Sequence, residues 1–229
     1  MIQPAKPDPV AALQNLRSVF PHRPEVMLVA LHELNKQEKR LPGWRELQVK
    51  ALMKMTCTFA FDVEERYRMG RVDQLATALR NLVELFVWAA YCGASEKNAR
   101  MFCDDGPRDL RELMETLQKI YVVANNAPEA RLDGMIAGLR SVAASSGFPD
   151  IEKRYFDVRD AAKEIGKLDA YGPLYKAASK FAHPTALAIH IGASPAILDA
   201  LFVNGTQMAV ACYLELEKFV TTVYPEIKL

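Results

Sequence analysis

In the stretch YKAASKFAHPTA, Ser179 and His183 stand one helical turn apart, and Tyr175 stands one turn before Ser179. Side chains at i and i+4 share a helix face, so a phenol, a hydroxyl and an imidazole can line one surface. Pro184 follows the histidine; it lacks an N–H and disfavours the α conformation at the residue before it. The helix is therefore predicted to end or kink at His183, where unpaired backbone carbonyls offer partners to an imidazole N–H. An imidazole changes charge near neutral pH, which suits it to act as acid, base or hydrogen-bond donor. The plainer alternative is a buried histidine that closes the helix break.

A second constellation is Arg80 with Glu84 inside ALRNLVELFVWAA, again one turn apart, with Asn81 beside them. The apolar flanks imply burial. Breaking a buried ion pair leaves a charge uncompensated, at a cost of about 3–5 kcal/mol. Three readings stay open: a structural pair in a helix core, a polar pocket that binds a ligand or assists chemistry, and an exposed pair of small energetic consequence.

Taken together, Arg80 and Glu84 in LRNLVE and Tyr175, Ser179, His183 and Pro184 in YKAASKFAHP resemble a bacterial family of helical proteins known only as a domain of unknown function. Its members tend to carry an Arg-x-x-x-Glu helix followed much later by a Tyr/Ser…His-Pro segment. The resemblance covers residues 45–93 and 171–220, and order and spacing carry most of it. It implies that the bundle brings the Arg80–Glu84 face near His183. That family is distantly similar to the HEPN group of helical ribonucleases, which work as dimers in toxin–antitoxin and phage-defence systems through an Arg followed shortly by a His. Here no Arg stands at that spacing around His183, and Lys180 is the nearest cation. The spacing recurs at Arg17 and His22, but Pro21 takes that histidine out of a helix.

Other chemistries lack their residues. None of His22, His32, His183 and His190 has Glu three positions before it, as a di-iron bundle would want. Neither GxGxxG, a Walker A loop nor GxSxG occurs. The cysteines 57, 92, 103 and 212 form no CxxC pair, so no zinc knuckle is indicated; three read as small core residues in a reduced chain. No metal or other cofactor is expected. With 29 Lys and Arg against 28 Asp and Glu, the chain lacks the basic excess of a non-specific nucleic-acid binder.

The elements that must position these residues are helices. Strand alternation and hairpin turns are scarce, while caps and prolines are plentiful. Asp8-Pro9 opens a helix to about residue 19, and a second runs over 24–38. LPGW at 41–44 makes a turn. A long helix spans 44–69, with Leu52, Met55, Phe59 and Val63 at helical spacing, and Gly70 ends it. The next, 72–93, is apolar on every side after Leu82 and belongs at the centre of the fold. Ser95 caps a short helix that DDGP at 104–107 interrupts. Helices follow at 108–124, 128–145 and 149–166, then the loop KLDAYGP, then 174–182. Ser194 and Pro195 open a last long helix to Val223, with Gly205 a candidate perturbation.

The expected architecture is all-α: a single-domain multi-helix bundle with long antiparallel helices, N-terminal helices in 1–43, a core in 44–229 and 94–150 as a candidate subdomain. The N-terminus lacks the apolar run of a secretory signal, and no charge-free segment nears the roughly 20 residues that span a bilayer. The expected place is the cytoplasm, with no membrane partner. Met53, Met55, Phe86 and Trp88 read as core; Leu198, Leu201, Phe202 and Met208 form a stripe that is either core or a homodimer face.

The sequence names no reaction. It points to a helical bundle that binds a protein partner or small ligand through a buried cluster drawn from Arg80, Asn81, Glu84, Tyr175, Ser179 and His183. Candidate catalytic groups are His183, Arg80 and Glu84. The alternative is an HEPN-like metal-independent ribonuclease, the one reading in which RNA is the partner.

Overall fold

The computed structural model describes residues 44–125, 133–134, 136–138, 140–141, 157–183, 185–191, 194–223 and 225. The N-terminal helices expected in 1–43 lie outside the described residues, as do Pro184 and residues 142–156. Seven helices carry the described fold: α1 (Trp44–Arg68), α2 (Val72–Ala94), α3 (Glu96–Asn125), α4 (Val158–Glu164), α5 (Leu168–Ala182), α6 (Ala186–Ile191) and α7 (Pro195–Val223). Residues 133–134, 136–138 and 140–141 are also helical. No strand occurs among the described residues, and the chain is all-α as expected.

Gly70 reverses the chain between α1 and α2. Its φ of 66° is accessible to glycine at little cost. The Gly70 N–H donates to the Tyr67 carbonyl and the Arg71 N–H to the Arg66 carbonyl, both at 3.0 Å, capping the carbonyls that the helix end leaves unpaired. So short a connection makes α1 and α2 antiparallel neighbours. Gly166 (φ 67°) ends α4 by the same device.

α2 is the centre of the fold and packs against α1, α5 and α7, with α3 and α4 adding smaller contacts. Leu75, Leu79, Leu82, Val83, Val87, Tyr91 and Cys92 are all at most 1 % exposed, which confirms the expected burial of its C-terminal half. Each large side chain fully withdrawn from water contributes roughly 2 kcal/mol, so the buried sector of α2 outweighs any local propensity. α2 and the stretch Pro195–Thr222 of α7 are long and apolar enough to cross a membrane, a property the sequence reading had denied to every segment. Their apolar faces are used here as core.

α7 lies across α1 and α2. Tyr67 stacks on Phe202 with centroids 4.1 Å apart, and its hydroxyl donates to Asp199 at 3.0 Å. Leu201, Phe202 and Met208 are buried within one chain and Leu198 packs on them, so that stripe is core rather than a dimer face. Gly205 leaves α7 uninterrupted. It permits close helix contact instead, since a Cβ there would meet Val63 Cγ1 at 3.0 Å.

Several local expectations yield to packing. α3 runs unbroken through residues 104–107, because Ala99, Phe102 and Asp105 all turn inward against α1 and α2. Ser95 does cap it, its Oγ accepting from the Asn98 N–H at 3.1 Å. KLDAYGP is largely helical: α5 starts at Leu168 with Pro173 inside it. Tyr171, 5 % exposed and one turn from Tyr175, contributes burial that offsets the hydrogen bond proline removes. Met55 is 42 % exposed, because the inward stripe of α1 follows Val49, Leu52, Met53 and Cys57. None of the four cysteines is disulfide-bonded, and burial pushes the thiols of Cys57, Cys92 and Cys212 up.

Gly205→Val is expected to destabilise the protein by about 2 kcal/mol through overpacking against Val63, measured by urea unfolding. Wild-type stability in that variant would mean that α1 and α7 do not approach this closely.

Candidate functional site

α2 presents Arg80 and Glu84 one turn apart, and Arg80 Nε lies 3.4 Å from Glu84 Oε1. The two side chains are 30 % and 29 % exposed, so the expectation of a fully buried pair is corrected. Leu79, Leu82 and Val83 beside them are buried, but the pair occupies the one sector of α2 that reaches the seam with α5. A pair this accessible is worth about 1 kcal/mol or less.

α5 supplies the rest of the cluster. The Arg80 guanidinium carbon lies 5.0 Å from the centroid of the Tyr175 ring, within cation–π range. Arg80 Nη1 lies 3.3 Å from His183 Nε2, across a sequence separation of 103 residues. A guanidinium can only donate, so Nε2 accepts through its lone pair. The imidazole in this contact is therefore the neutral tautomer with its proton on Nδ1; an imidazolium cannot make it.

His183 caps α5 in an extended conformation (φ −118°, ψ 156°), as the His-Pro step predicts, but its ring is exposed. The break is closed by another residue. Thr185 N–H donates to the His183 carbonyl at 2.7 Å, and its Oγ1 donates to the Lys180 carbonyl at 2.6 Å while accepting from the Ala188 N–H at 3.2 Å. Thr185 does the capping that had been expected of the histidine, which releases the imidazole toward Arg80. Sequence reasoning missed this threonine, although Thr two residues after a helix end is a common capping signal.

The structure thus gathers Arg80, Glu84, Tyr175 and His183. Ser179 lies on the same helix, its Oγ buried and without a hydrogen-bond partner among the described residues. Asn81 is half-buried and makes no side-chain hydrogen bond among the described residues. A further member is Tyr171, whose ring stacks on Tyr175 at 4.9 Å. Burial pushes its hydroxyl above the usual phenol range, Tyr175, Glu84 and Asp157 add to that, and Arg80 opposes it. The i, i+4 spacing of Tyr171 and Tyr175 was visible in the sequence, but assigning YGP to a loop hid it. On its other side, Glu84 borders a cavity of about 470 Å³ between α1, α2, α3 and the start of α4.

No curated protein and no solved structure matches the chain. The family designated DUF5677, described as a family of unknown function, matches residues 51–194. That span holds every member of the cluster and continues through the intervening segment that the resemblance to a domain of unknown function had left out. With more than half of its length matched, the chain belongs to the DUF5677 family.

Proposed function

We propose that this protein binds a ligand through Arg80, Glu84, Tyr175 and His183, and that the group it takes there is a compact anion, a carboxylate or a phosphate. What supports the reading is the way Arg80 is held. Glu84, Tyr175 and His183 fix its guanidinium from two helices while about a third of the side chain stays open to solvent. An arginine carries about 2 kcal/mol of rotamer entropy, and a fork already fixed loses little more on binding. Its remaining N–H donors suit the paired oxygens of a carboxylate or phosphate. The His183 Nδ1–H adds a neutral donor. Glu84 lies 3.4 Å from Nε as an ion-pair partner, without a hydrogen bond there. The cytoplasm is the compartment this reading assumes, supported by four cysteines outside any disulfide, three of them buried.

A ribonuclease is the second reading, and one observation favours it. The guanidinium–imidazole contact that no short sequence motif supplies is made in space, between Arg80 and His183. Metal-independent phosphodiester cleavage uses an acid or base beside a cation that stabilises developing phosphate charge. Reaction through His183 Nε2 would require the imidazole to leave Arg80.

Titration calorimetry with inorganic phosphate and with citrate separates these ideas from a purely structural cluster. Saturable binding is expected in the wild type and is expected to vanish in Arg80→Gln. Glu84→Gln should weaken it while lowering the melting temperature by only about 2–4 °C, the shift for about 1 kcal/mol in a chain of this size. A melting point that collapses in Glu84→Gln, with no anion bound by the wild type, would make the pair structural. For the second reading, single-stranded RNA is expected to be cut in the presence of chelator, and His183→Ala, folded by circular dichroism, is expected to lose the activity. Undiminished cleavage by that variant rejects the ribonuclease assignment.

A further inference from the structure

Along α5, Tyr171, Tyr175, Ser179 and His183 follow one another at four-residue steps, so they form a single row. Tyr171 stacks on Tyr175, and the row then breaks at Ser179, whose side chain is too short to continue it. Arg80 enters from α2 at that break. Its guanidinium carbon lies 5.0 Å from the Tyr175 ring centroid, and its Nη1 lies 3.3 Å from His183 Nε2. Tyr175 and His183 are eight residues apart, about 12 Å along a helix. One guanidinium that contacts both has to lie across the position midway between them, which is Ser179.

The atoms at that crossing are enclosed. Ser179 Oγ and Arg80 Nε are both withdrawn from solvent, and neither has a hydrogen-bond partner among the described residues. A serine or threonine inside a helix can bond back to the carbonyl one turn earlier. Thr58, Thr77, Thr116 and Thr221 all do so here, to the carbonyls of Lys54, Asp73, Glu112 and Glu217. Ser179 makes no such bond to the Tyr175 carbonyl. A buried hydroxyl left unpaired is a cost rather than a gain, so hydrogen bonding does not account for a serine at this position. Its size does. A longer side chain at 179 would project into the space that the guanidinium fills.

We infer that Ser179 is a positioning residue for the anion site: a notch in the row of rings on α5 that admits Arg80 and seats it between Tyr175 and His183. Its functional consequence rests on the anion reading, since a displaced guanidinium offers no fork there, whereas the seating of Arg80 is testable without a ligand. Ser179→Ala and Ser179→Leu are compared in the full chain, with the His183 tautomer read from long-range 1H–15N spectra and phosphate affinity from calorimetry. Ser179→Ala keeps the notch. Its imidazole proton is expected to stay on Nδ1, and its phosphate affinity to stay within about twofold of wild type. Ser179→Leu fills the notch, so the proton is expected to move to Nε2 and phosphate to bind at least about tenfold more weakly. Leucine at 179 is also expected to lower the melting temperature less in an Arg80→Ala background, where the space is vacated, than in wild type. If Ser179→Leu does not fold by circular dichroism, Ser179→Val takes its place in each measurement. A leucine or valine variant that retains the Nδ1 proton, or equal melting losses in the two backgrounds, overturns the proposal. So does loss of the Nδ1 proton or of phosphate binding in Ser179→Ala, because the hydroxyl would then be the group that matters. If the wild type binds no phosphate, the anion reading fails, and the tautomer and melting comparisons still decide whether Ser179 seats Arg80.

Discussion

α2 must bury a broad sector of its surface, and the rest of the structure follows from that requirement. α1, α5 and α7 pack around it, and its buried side chains are at most a few per cent exposed along most of its length. A helix packed in this way leaves one side for polar groups. Arg80 and Glu84 occupy it, at the seam where α5 passes. The polar cluster is therefore a consequence of the packing scheme: charged residues could be placed on α2 only where a neighbouring helix leaves a gap and provides partners.

Those partners come from the end of α5, which explains the economy of the His-Pro step. The chain has to leave α5 in an extended conformation, and Thr185 satisfies the carbonyls of Lys180 and His183 as it does so. With the break capped by the threonine, the imidazole turns to the guanidinium across the seam. Glu84 then links two surfaces of unlike character. One is a cationic edge around Arg80; the other is a carboxylate-lined cavity with Gln48 and an aromatic wall.

Much of this was legible in the sequence. The long helices, the Gly70 reversal, the Ser95 cap and the central place of α2 follow from period, punctuation and apolar content. The meeting of Arg80 with His183 was legible only through order and spacing, since nothing local connects residues 103 positions apart. What was illegible are places where tertiary burial overrides a local signal. Pro173 sits inside α5 because Tyr171 gains a core position, and α3 crosses residues 104–107 because Ala99, Phe102 and Asp105 pack inward. The degree of exposure of Arg80 and Glu84 was also hidden. Apolar neighbours along a helix indicate that it is enclosed, but which sector faces a seam depends on the crossing of α5. Gln48 gave no signal at all, because an amide among apolar residues reads as surface until its surroundings are known.

The central claim is that the His183 ring accepts a hydrogen bond from Arg80 through Nε2. Long-range 1H–15N correlation spectra of the imidazole report which nitrogen carries the proton. The structure requires the proton on Nδ1 in the wild type and a return to the Nε2–H form, the more common one for an exposed histidine, in Arg80→Met. A wild-type ring protonated on Nε2, with no change on removing Arg80, would contradict the contact and with it the cluster built around it.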